Sequence, residues 1–366
     1  MAKSAWAAQS PMSCQLCNKD VAIKWKCTDC ELLLCDNCKV NVHSRFKSSE
    51  KHRVVSISDI GNDLSDQLKS LHISEVISSV FNTYETELSC IQKIICSDDD
   101  VVFLLSSSDF HNCHLIKAKL RKNSIKVLNK IDIECQDFAV NRQNEILFSP
   151  VPRSELKGIA HTGNVRTILK AYPMIILGIH VFKHDELLLG LRDQGLKFPV
   201  TDFSTRQIAV LGVDYKRKAT FEYDESGRKL FNYAYRIISD SENNLYVLDL
   251  INDVGHGRIV GLDMHGRKKF VYNGYSILNT PDTPFIPCDI AITPNTILLI
   301  TDINNHAIHA INANGELCGL QSTESLGIRF PCSLSFDSEG FLLIGSEPDE
   351  EETNQKAKIH AVKIRM

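Results

Sequence analysis

Beyond residue 90 one phrase returns six times: an apolar strand, a short polar turn and a second apolar strand. That recurrence limits the fold of this 366-residue chain more than any other feature. The copies occupy residues 93–105, 138–148, 179–189, 237–248, 290–300 and 334–344, and their starts lie 45, 41, 58, 53 and 44 residues apart. Such a period, with about four short strands per unit, is the mark of a β-propeller. One blade cannot bury both of its faces, whereas blades in a ring share their apolar strands as a continuous core. The reading is therefore a mainly β chain with a six-bladed propeller over residues 76–366. Residues 78–84 would close the ring as an outer strand of the last blade, whose own strands end near Ile364.

A second rule governs the cysteines. Six of the 13 fall between Cys14 and Cys38, and the other seven are scattered. The run reads Cys14-x2-Cys17, nine residues, Cys27-x2-Cys30, four residues, Cys35-x2-Cys38, four residues, His43, eight residues, His52. Two sulfurs on one ion must approach to about 3.5–4 Å, which a C-x2-C turn allows, so each pair supplies half of a tetrahedral site. Four residues between Cys30 and Cys35 are too few for adjacent pairs to wrap one ion, and the pairs should interleave. Cys14, Cys17, Cys35 and Cys38 form one zinc site; Cys27, Cys30, His43 and His52 form the other. With every position taken by protein, both are structural Zn2+ sites with no catalytic water. Four thiolates give the first a net charge near −2, which Lys19, Lys24, Lys26 and Lys39 could offset. Ile23, Trp25 and Leu32 to Leu34 are too few to fold residues 13–57 without metal.

Around these two parts, residues 1–12 read as a disordered N-terminus and residues 58–75 as a short helical linker with leucines at 64, 68 and 71. Hydrophobic residues make 43% of the chain, charged residues 23%, and the net charge is −4, so a generally basic, DNA-coating protein is not expected. The longest apolar runs fall far short of a bilayer span, so no membrane association is expected. Residues 1–10 lack a signal-peptide core, so the protein is expected in the cytoplasm, where thiols stay reduced.

The 14–55 segment resembles a B-box zinc finger, the interaction module of tripartite-motif proteins, in the form with all-cysteine pairs. Repeats four and five, LYVLDLINDVGHGRIVGLDMHG at 245–266 and TDINNHAIHAINANGE at 301–316, resemble NHL repeats. Together the chain resembles a B-box plus NHL-propeller member of the tripartite-motif family. That resemblance implies a non-enzymatic scaffold that recruits proteins, with a role in ubiquitin-ligase assemblies. No second Cys/His cluster resembles a RING finger, so autonomous ligase activity is not supported. The family's long coiled coil is cut to barely two heptads, too short for the usual dimer.

Other candidates have bland readings that win. Asp98, Asp99 and Asp100 align with the turns of other copies and read as a hairpin rather than a cation site. Gly255, Gly257 and Gly261 miss the dinucleotide spacing and read as a loop of blade four. His306 and His309 are read as sharing one strand face, in packing or hydrogen-bonding roles rather than metal binding. No nucleophile, base and oxyanion set stands at a recognisable spacing, and no small-molecule substrate is expected.

The loops between second and third strands, with the crossings between blades, should gather on one face and bind partners. Arg192, Arg236 and Arg258 are assigned there, with Lys216, Arg217 and Lys218 from an excursion of blade three. NHL propellers in some relatives bind RNA stem-loops through a basic face, which makes an RNA-binding regulator of structured RNA the alternative reading. Residues 81–366 carry 31 Lys and Arg against 36 Asp and Glu, a balance that favours protein partners.

Overall fold

A computed structural model describes residues 14, 16–17, 24–27, 32–45, 52 and 54–56. From 74 to 365 it describes everything except 98–99, 108–112, 161–162, 183–184 and 349–355. The expected N-terminal segment 1–12 and nearly all of the helical linker lie outside the described residues. The chain divides into two compact units, 1–73 and 74–366.

In the first unit β1 (Trp25–Cys27) pairs antiparallel with both β2 (Leu33–Leu34) and β3 (Val54–Ser56). A six-residue helix, α1 (Asp36–Asn41), follows β2, and a single 3-10 turn covers His43–Arg45. Cys35 is the N-cap of α1: its backbone is extended and its sulfur accepts the Cys38 N–H. One residue thus ends a strand, starts a helix and offers a metal ligand.

The second unit opens with β4 (Ile77–Glu85) and continues as six four-stranded antiparallel blades. Blade 1 is β5 to β8 (Lys93–Cys96, Val101–Ser107, Cys113–Arg121, Ser124–Asp132), and blade 2 is β9 to β12 (Cys135–Val140, Ile146–Pro150, Glu155–Ile159, Val165–Lys170). Blade 3 is β13 to β16 (Ile175–Val181, Leu187–Arg192, Arg206–Leu211, Arg217–Phe221), and blade 4 is β17 to β20 (Ala234–Ser239, Leu245–Leu250, Gly257–Leu262, Lys268–Tyr272). Blade 5 is β21 to β24 (Pro287–Ile292, Leu298–Asp302, Ala307–Ile311, Leu317–Ser322). Blade 6 takes β25 to β27 (Pro331–Phe336, Leu342–Ser346, Lys358–Ile364), and its fourth strand is β4, paired antiparallel with β27 from Ile77↔Ile364 to Glu85↔Lys358. The ring is closed by the strand the sequence offered for it.

Burial falls outward along each blade because only inner strands have neighbours on all sides. The second strands β14, β18, β22 and β26 are almost wholly buried, while the outer strands β12, β16 and β20 are largely exposed. Among the described residues, six buried apolar clusters sit one at each blade interface. Leu104, Ile116 and Ala118 of blade 1, for instance, meet Leu343, Ile359 and Ala361 of blade 6. A methyl on Gly190 would stand 2.6 Å from the Ala234 carbonyl oxygen across the blade 3–4 interface. Gly190→Ala should therefore cost about 1–3 kcal/mol in a urea titration; an unchanged midpoint would show that the blades can slide apart.

The hairpins at the end of the inner strands share one construction. Asp240 Oδ1 accepts the N–H groups of Glu242 and Asn244, Asp337 Oδ1 those of Glu339 and Phe341, and Asn141 Oδ1 those of Gln143 and Glu145. Three residues after that cap the backbone is left-handed, at Asn243, Gly340 and Asn144. Asp100 (φ 58°) takes that place in blade 1, so it serves a turn; Asp98 and Asp99 lie outside the described residues.

Candidate metal centre and loop face

Cys14, Cys17, Cys35 and Cys38 converge with every pair of sulfurs within 4.8 Å, and Cys27, His43 and His52 form a second group under the same limit. The described ligands interleave as expected: pairs one and three share a site, and Cys27 of the second pair stands with the histidines. Cys30, the expected fourth ligand, lies outside the described residues. The Cys27 sulfur stands 3.7 Å from His52 Nδ1, close to the separation of about 3.6 Å that a tetrahedral zinc imposes on a sulfur and a nitrogen ligand. An all-sulfur set and a mixed sulfur–imidazole set of this geometry suit zinc.

The first cluster is built to hold negative charge. Burial opposes ionisation of Cys14, yet the N–H groups of Cys35, Leu16 and Cys17 hold its thiol below the usual range. At Cys38 burial and the neighbouring sulfurs of Cys17, Cys14 and Cys35 push the thiol upward. One charge is welcome and a fourth is not, so a divalent cation is what allows all four sulfurs to ionise together. Two of the lysines expected to neutralise the cluster are engaged elsewhere, and Lys19 lies outside the described residues. Lys24 pairs with Asp36 at 2.7 Å, and Lys39 Nζ lies 2.9 Å from the centre of the Trp25 ring. Trp25 Nε1 donates to the same Asp36, which ties β1 to the first turn of α1.

In the propeller the loops between second and third strands share one end with the crossings between blades, and the hairpins occupy the other. Arg192, Arg236 and Arg258 belong to the loop end. Lys216, Arg217 and Lys218 do not: β15 runs from Arg206 at the loop end to Leu211, so the turn into β16 carries them at the hairpin end. Nor do the three arginines form an open basic face. Arg192 donates to the carbonyls of Asp193 and Gly195 within its own loop. Arg258 pairs with the buried Asp249 at 2.9 Å and also donates to the Leu230 carbonyl.

Arg236 is 1% exposed and belongs to a ring of equivalent positions on the six inner strands: Lys93, Asp137, Gly178, Arg236, Asp289 and Ser333. Lys93 donates to Asp137 Oδ1 at 2.6 Å, Arg236 Nη1 stands 3.1 Å from the same oxygen, and its Nε is 3.8 Å from Asp289 Oδ1. Each aspartate also latches the next blade: Asp137 Oδ2 accepts the Ile179 N–H at 2.7 Å and Asp289 Oδ2 the Leu334 N–H at 2.9 Å. Gly178 leaves room for this, since a methyl there would stand 3.1 Å from the carbonyl oxygens of Ala234 and Tyr235. Burial, and then the Lys93 charge, lowers the neighbouring His180 to about 4, so it stays neutral. Sequence reasoning missed this chain of charges. Its signal is the polar or glycine residue at the same register in every copy.

His306 and His309 part company. His306 precedes its strand with a left-handed backbone and accepts the Phe330 N–H, while His309, fully buried, shares a hydrogen bond of 2.7 Å with the Tyr272 hydroxyl. They do not share a strand face, though the hydrogen-bonding role stands. Gly255 sits in the blade 4 loop, whereas Gly257 and Gly261 belong to β19.

What the loop end does display is apolar. Phe203 is 97% exposed, Leu196 76%, Tyr172 74% and Val254 68%, all on loops or crossings of blades 2 to 4. A cleft of about 670 Å³ runs between the 199–202 loop of blade 3, the 223–232 crossing and Ile251. Among the described residues no helix is long and apolar enough to cross a membrane.

The B-box zinc finger family model matches residues 9–57. No curated protein sequence matches the chain. Among solved structures, a candidate gluconolactonase is 10% identical over 80% of this chain and 99% of its own, with a TM-score of 0.53. A luciferin-regenerating enzyme is 11% identical over 77% and 96%, with a TM-score of 0.52. A virginiamycin B lyase from Staphylococcus aureus is 15% identical over 78% and 89%, with a TM-score of 0.47. At such identities the likeness is one of fold. The chain is an N-terminal B-box joined to a six-bladed β-propeller.

Proposed function

We propose that this protein is a non-enzymatic scaffold of the tripartite-motif type, with an NHL-like propeller whose loop end docks other proteins. Two structural zinc ions hold the B-box as a second recruiting module, and its partners include components of ubiquitin-ligase assemblies. The observation that carries this reading is the set of bare apolar side chains Tyr172, Leu196, Phe203 and Val254 on one end of the ring. Single exposed apolar residues are ordinary, whereas several large ones on neighbouring loops favour a protein interface.

At the loop end the RNA reading loses support for a physical reason. An RNA face needs cations free to reach phosphate, and here Arg192, Arg236 and Arg258 are held by carbonyls and carboxylates of the protein itself. An enzymatic reading of the inner strands meets the same obstacle, because Lys93 and Arg236 neutralise both aspartates of the ring.

Cross-linking in cells tests the proposal. Leu196→Asp combined with Phe203→Asp should remove the proteins cross-linked to the propeller, and Lys216→Glu with Arg217→Glu at the hairpin end should retain them. Equal losses in both variants would overturn the loop-end assignment. Sub-micromolar binding of structured RNA that weakens steeply with salt and disappears in the first variant would replace it with the RNA reading.

A further inference from the structure

The outer half of blade 1 differs from those of blades 2 to 5 in charge and length. Residues 117–130, KAKLRKNSIKVLNK, contain Lys117, Lys119, Arg121, Lys122, Lys126 and Lys130 and no acidic residue, within a chain of net charge −4. These cations sit on β7, on β8 and in the turn between them; Arg121, Lys122, Lys126 and Lys130 are exposed and Lys117 and Lys119 half-buried. Among the described residues none of the six makes an ion pair. Lys119 stands directly across from Lys126 in the β7–β8 register, a like-charge pair that disfavours the sheet it belongs to.

The strand β8 is also an open edge. It pairs with β7 on one side, and on the other its single bridge is Ser124 to Glu85 of β4, so residues 125–132 have no second strand among the described residues. Outer strands of propellers are always edges, but those of blades 2 to 5 have five or six residues and β8 has nine. Long edges are a liability that proteins blunt, often with one or two lysines. That protective role accounts for Lys126 and Lys130 on β8 itself. It does not account for Lys117 and Lys119 on the inner neighbour, nor for cations placed face to face. Val127 and Leu128 lie half-exposed on the same edge, so the strand presents apolar contacts together with free backbone groups.

We propose that the β8 edge is a docking site for an extended acidic segment of a partner protein, which adds to blade 1 as a further strand. Backbone hydrogen bonds along 125–132 would give the register, Val127 and Leu128 would take apolar side chains, and carboxylates would lie across Lys119, Lys126 and their neighbours. An unpaired nucleic-acid strand fits less well, because it needs aromatic platforms for its bases and no exposed aromatic side chain lies on β7 or β8.

The test uses the full chain and an acetylated, amidated peptide of alternating Glu and Val, with a Gln–Val peptide of equal length as control. The acidic peptide should bind, the Gln–Val peptide should bind at least tenfold more weakly, and the difference should shrink with added salt. Hydrogen exchange should slow at 125–132 on binding. Lys119→Glu with Lys126→Glu should abolish both effects while leaving exchange of the other blades unchanged, which separates loss of the site from loss of the fold. Lys216→Glu with Arg217→Glu should change nothing. Equal binding of the two peptides, protection elsewhere than β8, or survival of binding in the reversed-charge variant would each overturn the proposal. So would a structured RNA that displaces the peptide and protects β8 more strongly.

Discussion

Replacing Cys14 with serine unfolds the zinc finger, empties both metal sites and leaves the propeller intact. The serine hydroxyl does not supply the thiolate that zinc requires, and structural zinc contributes about 10–16 kcal/mol of apparent free energy in finger-sized domains. Among the described residues the unit's buried apolar cluster is small and made mostly of ligands: Cys14, Cys35 and Cys38, with Leu16 and Cys17 partly buried against them. The loss spreads to the second site because the ligands interleave. Cys27 lies in the chain between Cys17 and Cys35, so removing the first ion frees the loop that positions the second. The propeller keeps its six interfacial clusters and its closure by β4, none of which involves residues 1–73. Zinc content of the purified full chain should fall from two ions towards none. Hydrogen exchange should accelerate throughout α1 and β1 while β14, β18 and β22 keep their protection. Joint loss of protection in both units would show that they fold as one.

The metal centre was legible because ligand spacing is covalent information: a C-x2-C pair fixes where two sulfurs can be, whatever surrounds it. The blades were legible for a related reason. A strand–turn–strand phrase carries its own period, and Asp240, Asp337 and Asn141 recur at its turns because a capped hairpin needs an Asx oxygen there. Even the closing strand could be found, since a ring with three strands left in its last blade must take a fourth from the start of the unit.

The partner face was not legible in the same way, since charge type says nothing about what a charge meets. Arg236 and Arg258 look like surface cations in a list of residues, and both turn inward to carboxylates on other strands. Lys216 to Lys218 were misplaced because the end of the ring on which a loop emerges depends on counting strands, and β15 had to be located first. The pair His306 and His309 failed on the two-residue period of a strand, since positions three apart face opposite ways. The ion chain needed the register itself: only the pairing of Ala139 with Leu147 and its equivalents in other blades shows that Lys93, Asp137, Arg236 and Asp289 stand level.

That ion chain should make Arg236 the most sensitive position in the propeller. Arg236→Met keeps much of the side-chain volume and the contact with Tyr235, but removes the cation that stands between Asp137 and Asp289. Breaking a buried pair by removing one partner costs about 3–5 kcal/mol, because the remaining charge stays desolvated. Asp137 retains Lys93 at 2.6 Å; Asp289, which is raised by burial and lowered chiefly by Arg236, does not retain an equivalent contact. In the variant its folded pKa therefore rises further above the unfolded value of about 3.9. Across that interval the folded state binds more protons than the unfolded one, so stability falls as pH rises from the unfolded pKa to the folded pKa and is level above it. The deficit against wild type, read from urea midpoints, should be smaller at pH 5 than at pH 8, and Asp289→Asn added to Arg236→Met should recover part of it at the higher pH. A deficit that stays the same at both pH values, with no recovery from the second substitution, would mean that Arg236 acts through packing on Tyr235 and the Gln92 and Gln136 carbonyls rather than through charge.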